Sequence, residues 1–364
     1  MLQTPSTPTF VATIDPGAQT WIQAEWEAYC EEVGLADPKV VRWSGHMRGV
    51  VRISAVGKPE HVEAGVLFLR SVHHVSRLVG RFQLSEVDPL DQLREIVLTA
   101  PLDRFDQANA FRASCNRVGA HPFGSHEVMI VVGQAARDRF GTQVDLTGYD
   151  LDLRVDVYEQ EGWIGYQLTR KPLSQRFERR VYHRRTALKS SVAFLLLRMA
   201  GIETEELGVL LDPFCGGGTI LLEAGQLFPD MKLWGSDMHI EPVEGTQQNL
   251  EVYQLGQRAE IRQVDVRTLA EHYEPESVDY IVTNPPYGLK MGKGLDVGVL
   301  YRRFLDGAQV VLKPGGTLVM LVLKAAKLRS AAKASGGWQV LEQNRIEVGG
   351  KMLSAFRLEK QAKQ

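Results

Sequence analysis

The second half of the chain alternates short apolar runs with longer segments of amphipathic period. Runs of Val, Ile and Leu have the length of strands covered on both faces, and the segments between them repeat apolar positions every three or four residues. This alternation predicts an α/β fold with a parallel, doubly wound sheet, and two late strand patterns add an antiparallel pair. The predicted strands are 209–212, 233–236, 259–263, 278–283, 317–323, 338–345 and 352–358, and the predicted helices are 190–199, 219–227, 242–253 and 299–312.

The first half mixes helical and extended patterns without a regular alternation, as is typical of an α+β unit. A helical period covers 19–33 and stops at Gly34. Ser125 is expected to cap a helix over 127–140. Residues 152–158 and 163–168 are expected to form a hairpin that turns at Glu161 and Gly162. Further strands are predicted at 10–14, 49–53 and 109–115, and further helices at 60–69 and 91–97.

Positive charge is concentrated in two segments. The formal net charge of −2 alone argues against a nucleic-acid-binding protein. Residues 170–190, however, contain 8 Lys and Arg against 1 Asp or Glu, and residues 321–364 contain 9 against 3. Such local charge attracts a polyanion more than the net charge of the chain does, because the electrostatic field decays over about 10 Å in physiological salt. Residues 170–189, which show no steady period, are therefore predicted to be a basic linker; a solvated linker without a ligand is the alternative.

Composition excludes several classes of protein. The longest apolar runs, such as residues 318–323, are far shorter than the roughly 18 residues of a membrane-spanning helix. Residues 1–10 lack the Lys, Arg and apolar core of a secretory signal. The three cysteines are widely spaced and form no zinc-binding pattern, as expected in a reducing cytosol. We therefore expect a cytoplasmic protein with no membrane association and no metal site.

A glycine-rich turn, residues 213–219, follows the first strand of the second half. Its glycines allow a tight turn and a close approach of a ligand to the free N–H groups of the next helix. It is neither the GxGxxG pattern nor a P-loop. Asp237 and Asp265 end the next two strands, where carboxylates can accept hydrogen bonds from a ribose and from an adenine amine. Either aspartate alone could be a helix cap, but together with the turn they predict a nucleoside-binding crevice.

The fourth strand ends in the sequence Asn284-Pro285-Pro286-Tyr287. Two prolines remove backbone donors and leave carbonyl groups that only accept, and the Asn284 amide oxygen accepts as well. Two acceptors that converge on an NH₂ group can hold its protons and direct its lone pair toward an electrophile. Tyr287 offers a face on which a planar base can stack. The alternative is a rigid structural turn.

Together these motifs resemble those of class I S-adenosylmethionine-dependent methyltransferases over residues 186–364. The resemblance implies a seven-stranded Rossmann-fold domain, S-adenosylmethionine as cofactor, and a target amine held by Asn284 and the Pro285 carbonyl, with Tyr287 stacked on the base. Such methyl transfer needs positioning rather than a protein nucleophile. Cys215 lies in the glycine turn, away from that loop, which argues against covalent catalysis. The cofactor contacts that the resemblance implies are Ala187, Leu188, Asp212, Phe214, Cys215, Gly216, Gly218, Thr219, Asp237, Met238, Asp265, Val266 and Asn284.

The first half resembles a THUMP domain, an RNA-binding module. The resemblance lies in residues 111–117, in Gly119, His121 and Phe123, and in residues 125–127. It accounts for His121 and His126 without a metal. Residues 183–191 are similar to the segment that precedes the glycine turn in THUMP-linked methyltransferases. The resemblance implies a ferredoxin-like N-terminal domain at 1–60, a THUMP domain at 61–169, the linker at 170–189 and the Rossmann-fold methyltransferase domain at 190–364.

Asn284 makes the chain more similar to tRNA guanine-N2 methyltransferases of position 6 in the acceptor stem than to those of position 10, which typically carry Asp there. The alternatives are a guanine-N2 methyltransferase that acts on position 10 of tRNA or on rRNA, an RNA-binding chaperone with a vestigial methyltransferase fold, and a DNA adenine methyltransferase. The chain is expected to act on tRNA as a monomer. The expected RNA contacts are Arg112, Asn116, Arg117, Arg176, Arg179, Arg180, Arg184, Arg185, Lys290 and Lys293.

Overall fold

The computed structural model divides into two compact units. It describes residues 1–43, 48–288 and 296–361. The units comprise Met1–Ile14 with Gln19–Leu173, and Asp15–Ala18 with Ser174–Gln364. The division falls inside the predicted linker 170–189, whereas the boundary expected at residue 60 lies within the first unit and stays a prediction. Among the described residues, no helix is both long and apolar enough to cross a bilayer.

The first unit is built on one mixed sheet, which has nine strands within the described residues. Its strands are β1 Thr9–Ile14, β2 Ala36–Arg42, β3 Val50–Val56, β4 Val72–Gln83, β5 Ala110–Ser114, β6 Arg117–Val118, β7 Gln143–Val144, β8 Leu151–Tyr158 and β9 Glu161–Gln167. Its helices are α1 Gln19–Val33, α2 Pro59–Phe68, α3 Pro89–Thr99 and α4 Ser125–Phe140. The strand order is β2-β3-β1-β4-β9-β8-β5-β7, with β6 beside β8. Buried Trp26 and Phe111 anchor the helices to this sheet.

Two local predictions for the first unit are wrong. The hairpin turns at Glu159 and Gln160, where Glu159 adopts a left-handed φ of 54°, and Glu161 already pairs with Tyr158 in β9. Ser125 is the first residue of α4, and its N-cap is Gly124, whose N–H donates to the Glu127 carboxylate at 2.8 Å.

The second unit confirms the α/β fold class. Its strands are β10 Val209–Asp212, β11 Lys232–Asp237, β12 Ala259–Gln263, β13 Val278–Thr283, β14 Leu312–Val322, β15 Trp338–Val348 and β16 Lys351–Lys360. Its helices are α5 Ser190–Ala200, α6 Thr219–Leu227, α7 Ile240–Val252, α8 Val297–Val311 and α9 Ala325–Ser335. Within the described residues they form a seven-stranded sheet in the order β12-β11-β10-β13-β14-β16-β15. All neighbouring strands are parallel except β16, which is antiparallel to β14 and β15. The sequence pattern does not predict α9.

The centre of this sheet is fully buried and fixes the positions of its strand ends. Leu211 in β10 and Ile281 in β13 are shielded from solvent and pack with Phe304 of α8 in one core cluster. The strand order reverses between β10 and β13, and ligands of open parallel sheets bind outside the carboxyl ends at such a reversal. The buried core therefore holds a rigid crevice at this edge.

Candidate active site

Three of the predicted site residues lie at neighbouring strand ends. Strand β10 is flanked by β11 and β13, and Asp212, Asp237 and Asn284 end or follow these three strands. In register, Asp212 pairs with Gly235 of β11, so Asp237 stands two residues beyond it. Asp265 follows β12, one strand further out. The sheet thus places the four residues along one edge in the spatial order Asp265, Asp237, Asp212 and Asn284.

The glycine turn depends on two residues with a left-handed backbone. Gly216 and Gly218 have φ values of +56° and +78°, in the left-handed region that favours glycine. The Cys215 N–H donates to the Ser236 carbonyl at 2.9 Å, which ties the turn to β11. Gly216 itself therefore adds no side chain toward a bound nucleoside, and the side chain that lies against this face is that of Arg184.

Two buried polar side chains of α7 hold the turn, and sequence analysis did not identify them. Thr246 donates to the Gly216 carbonyl at 2.9 Å, and Asn249 donates to the Gly217 carbonyl at 3.0 Å. Both are completely buried. Their signal in the sequence is a pair of polar residues spaced by three on the apolar face of a helix, where an unpaired polar group is costly.

The Asp212 side chain is buried and hydrogen-bonds to groups on both sides of the crevice. One of its carboxylate oxygens accepts from the Thr283 hydroxyl at 2.6 Å and from the Phe214 N–H at 3.1 Å. Thr283 directly precedes Asn284, so this bond joins the glycine turn to the Asn-Pro-Pro-Tyr loop. Burial raises the pKa of Asp212 to about 7, although both hydrogen bonds oppose this shift.

The substitution Asp212→Asn should make stability less dependent on pH. The folded pKa near 7 lies above the ordinary value of 3.8, so the stability associated with Asp212 is complete below about pH 4 and is lost as pH rises through 7. Asparagine keeps an acceptor for Thr283 without the buried charge. We expect the variant to gain about 4 kcal/mol over the wild type at pH 8 and little at pH 4.

Thermal unfolding of both proteins at the two pH values checks this expectation. A difference in melting temperature that stays the same at pH 4 and pH 8 would contradict it.

Asp237 and Asp265 both accept hydrogen bonds from donors of their own chain. Asp237 accepts from the Arg184 guanidinium at 3.3 Å and from the His239 N–H at 3.1 Å. Asp265 accepts from the N–H and guanidinium of Arg267, a residue that sequence analysis missed, and this bonding keeps the pKa of Asp265 below its ordinary value. A ribose or an adenine amine must compete with these donors.

The Asn-Pro-Pro-Tyr loop carries an internal hydrogen bond. The Tyr287 hydroxyl donates to Oδ1 of Asn284 at 2.6 Å. Burial raises the pKa of Tyr287 above its ordinary value, so its hydroxyl remains a donor at physiological pH. Pro285 is buried beside it. The bond fixes the amide of Asn284, while stacking of Tyr287 on a base stays a prediction.

The remaining predicted cofactor residues differ in exposure. Met238 is 53% exposed at the crevice, whereas Val266 is 5% exposed and belongs to the apolar core. Cys215 is buried, and burial raises the pKa of its thiol, which disfavours a nucleophilic thiolate. Ala187 is exposed, Leu188 is half-buried, Phe214 packs edge-on against Phe304, and Thr219 accepts from Arg180.

Several predicted RNA contacts already have partners within the protein. The Arg176 guanidinium donates to completely buried Glu223 at 3.1 Å. Arg179 and Arg185 are exposed. Arg112 pairs with Asp152, Arg117 bonds the Gly119 carbonyl, Arg180 bonds Thr219, and Asn116 is exposed with its N–H on Asp156. Lys290 and Lys293 lie outside the described residues.

The His121 side chain of the first unit has structural partners. The two ring nitrogens of His121 lie 3.0 Å from the Arg117 guanidinium and 2.6 Å from the Glu159 carbonyl. In the part of the chain that the structure describes, no group of three His, Cys, Asp or Glu residues is arranged to hold a metal ion.

Comparisons with known proteins point to one family. Residues 178–354 match the RMKL-like methyltransferase domain family, and residues 88–165 match the THUMP domain family. The chain is 34% identical over 352 residues to the tRNA (guanine(6)-N2)-methyltransferase of Thermus thermophilus, covering 96% of this chain and 98% of the relative. The crystal structure of TrmN from Thermus thermophilus superposes with a TM-score of 0.79 and 32% identity, covering 97% and 99% of the two chains. The U6 snRNA (guanine-N2)-methyltransferase of Bos taurus is 32% identical over 67% of this chain and 46% of its own length.

Proposed function

The chain belongs to the THUMP-domain guanine-N2 methyltransferases that act on RNA, and from this premise we propose that it methylates the 2-amino group of guanosine in tRNA. The acceptor-stem guanosine at position 6 is the proposed target. The relative from Thermus thermophilus, named for that reaction, aligns with nearly the whole chain. The relative from Bos taurus is named for the same chemistry on another RNA and aligns with two thirds of it. The reaction is thus common to both, and the full-length similarity favours tRNA.

The observation that carries the proposal is the edge where β10, β11 and β13 end. Gly216 and Gly218 form a left-handed turn without side chains, Asp237 stands at the next strand end, and Asn284 follows β13. These residues fit S-adenosylmethionine, because its adenosyl group needs a turn without side chains and a carboxylate for its ribose hydroxyls. When bound, the cofactor supplies an electrophilic methyl group on a sulfonium.

The protein's own groups position the target amine. In this proposal, Oδ1 of Asn284 and the carbonyl oxygen of Pro285 accept hydrogen bonds from the two N–H groups of the 2-amino group and keep its lone pair directed at the methyl group. Tyr287 stacks on the guanine. Proximity and orientation then provide the rate enhancement, since the transfer needs no protein nucleophile. The brace between Asp212 and Thr283 holds the loop at a fixed distance from the glycine turn.

The expected division of the chain extends this proposal. We propose that residues 61–169, together with the ferredoxin-like residues 1–60, recognise tRNA by shape and backbone, because A-form RNA hides its base edges. Exposed Arg179 and Arg185 of the linker would bind phosphates. We also propose that the protein is a cytoplasmic monomer. Light scattering of the purified protein measures its mass in solution and so tests the monomeric state.

Transfer of labelled methyl groups to unmodified bulk tRNA tests the proposal. We expect N2-methylguanosine in the digested nucleosides, mapped to position 6. Label at position 10 would keep the reaction and change the site. Label in ribosomal RNA or DNA alone would keep the fold and overturn the substrate.

A further inference from the structure

The linker residue Arg184 occupies the place where the cofactor's ribose is proposed to bind. Its Nη1 atom lies 3.3 Å from Oδ2 of Asp237. The same atom would lie 3.6 Å from a Cβ built on Gly216, so the guanidinium covers the open face of the glycine turn. Arg184 and Asp237 are only 22% and 12% exposed in this pair.

The linker backbone next to Arg184 is fixed to the methyltransferase unit. The N–H groups of Val181 and Tyr182 both donate to Oδ1 of Asn249, at 2.9 and 3.0 Å, and Nδ2 of Asn249 returns a bond to the Tyr182 carbonyl. The Tyr182 ring packs so closely on Gly245 that a Cβ there would lie 2.2 Å from it. The Arg184 side chain can therefore leave Asp237 while the linker stays in place.

We propose that Arg184 couples cofactor binding to RNA binding by exchanging partners. Without cofactor, its guanidinium pairs with Asp237. With Asp237 engaged by the ribose hydroxyls, the released guanidinium would bind an RNA phosphate, for which its planar fork of donors is suited. The inference rests on the proposed ribose role of Asp237 and deepens the proposed function.

The exchange of partners predicts two effects of one variant: tighter binding of the cofactor product and loss of the mutual enhancement between cofactor and tRNA. Arg184→Gln removes the competitor for Asp237, so S-adenosylhomocysteine should bind about fivefold tighter to the variant than to the wild type. The same variant loses a phosphate contact that depends on the cofactor. In the wild type, S-adenosylhomocysteine should tighten tRNA binding, and by linkage tRNA should tighten S-adenosylhomocysteine binding by the same factor. In Arg184→Gln that mutual enhancement should be absent.

Calorimetric titration of S-adenosylhomocysteine into the full-length protein, with and without unmodified tRNA, measures these effects. Arg198→Gln is the matched control, because it removes the same charge at an exposed position of α5 that has no proposed role in binding, and it should leave S-adenosylhomocysteine affinity within twofold of the wild type. Weaker or unchanged binding of S-adenosylhomocysteine to Arg184→Gln would overturn the proposal, as would enhancement that persists in this variant.

Asp237→Asn separates this inference from the proposed site. If Asp237 binds the ribose, this variant should bind S-adenosylhomocysteine at least tenfold more weakly. Unchanged affinity would overturn both the site and the coupling. Weaker binding to Asp237→Asn together with weaker binding to Arg184→Gln would keep the site and overturn the coupling, because Arg184 would then be a cofactor ligand.

Discussion

Methylation by the Asn284→Ala variant should be slower than that of the wild type by about 10²- to 10³-fold, while S-adenosylhomocysteine affinity changes by less than twofold. Alanine removes one of the two acceptors that hold the target amine, and the loss of one positioned hydrogen-bonding group in an active site typically costs about that factor. The Pro285 carbonyl and the glycine turn stay in place. Single-turnover methylation of unmodified tRNA, with a separate calorimetric titration, measures both quantities.

Tyr287→Phe is the matched control for Asn284→Ala. It keeps the aromatic ring for stacking but removes the hydroxyl that donates to Oδ1 of Asn284. The amide of Asn284 then loses one constraint and keeps its acceptor, so we expect a loss of roughly tenfold or less. Loss of cofactor affinity with an unchanged methylation rate in Asn284→Ala would contradict the role given to the loop.

Arg176→Met should lower the free energy of unfolding by about 3 kcal/mol. The Arg176 side chain is 16% exposed and Glu223 is completely buried, so the substitution leaves the carboxylate in the interior without this cation. Breaking a buried ion pair from one side costs about 3–5 kcal/mol. Denaturant unfolding of the full-length protein, followed by a probe of the second unit, measures the change.

The double variant Arg176→Met with Glu223→Gln provides the control. It removes the buried charge as well as its partner and should recover most of the stability lost in the single variant. RNA affinity distinguishes this structural role from the predicted phosphate contact. Unchanged stability combined with weaker tRNA binding in Arg176→Met would contradict the structural role and indicate that Arg176 contacts RNA.

The elements of the second half were predictable because each carries its own signal. Buried parallel strands such as Val209–Asp212 and Val278–Thr283 are short segments rich in Val, Leu and Ile, and both have the predicted bounds. The motifs after these strands lie at the carboxyl edge because parallel strands all end on the same side of the sheet. Helix Ala325–Ser335 was missed, because its buried face consists of one leucine and two alanines within a run of small and basic residues.

Pairing between distant residues was not predictable. The basic residues of 170–189 look alike in the sequence, yet Arg176 lies against a buried glutamate, Arg184 lies on Asp237, and Arg185 is exposed. Which arginine meets which carboxylate depends on the path of the linker across α6 and α7. Local patterns contain no information about that path.

The sequence by itself determined the α/β class of the second unit, the strand ends that carry the glycine turn, Asp237 and Asn284, and the chemistry available there. Apolar periodicity and strand-end motifs are set by residues that are close together in the sequence, so they can be recognised in one sequence alone. Only the tertiary structure decided that Asp212 is braced by Thr283, that Asn249 fixes the linker to the glycine turn, and that Arg184 covers the ribose carboxylate. These contacts join residues 32 to 71 positions apart, and their formation depends on burial and close packing in the folded protein.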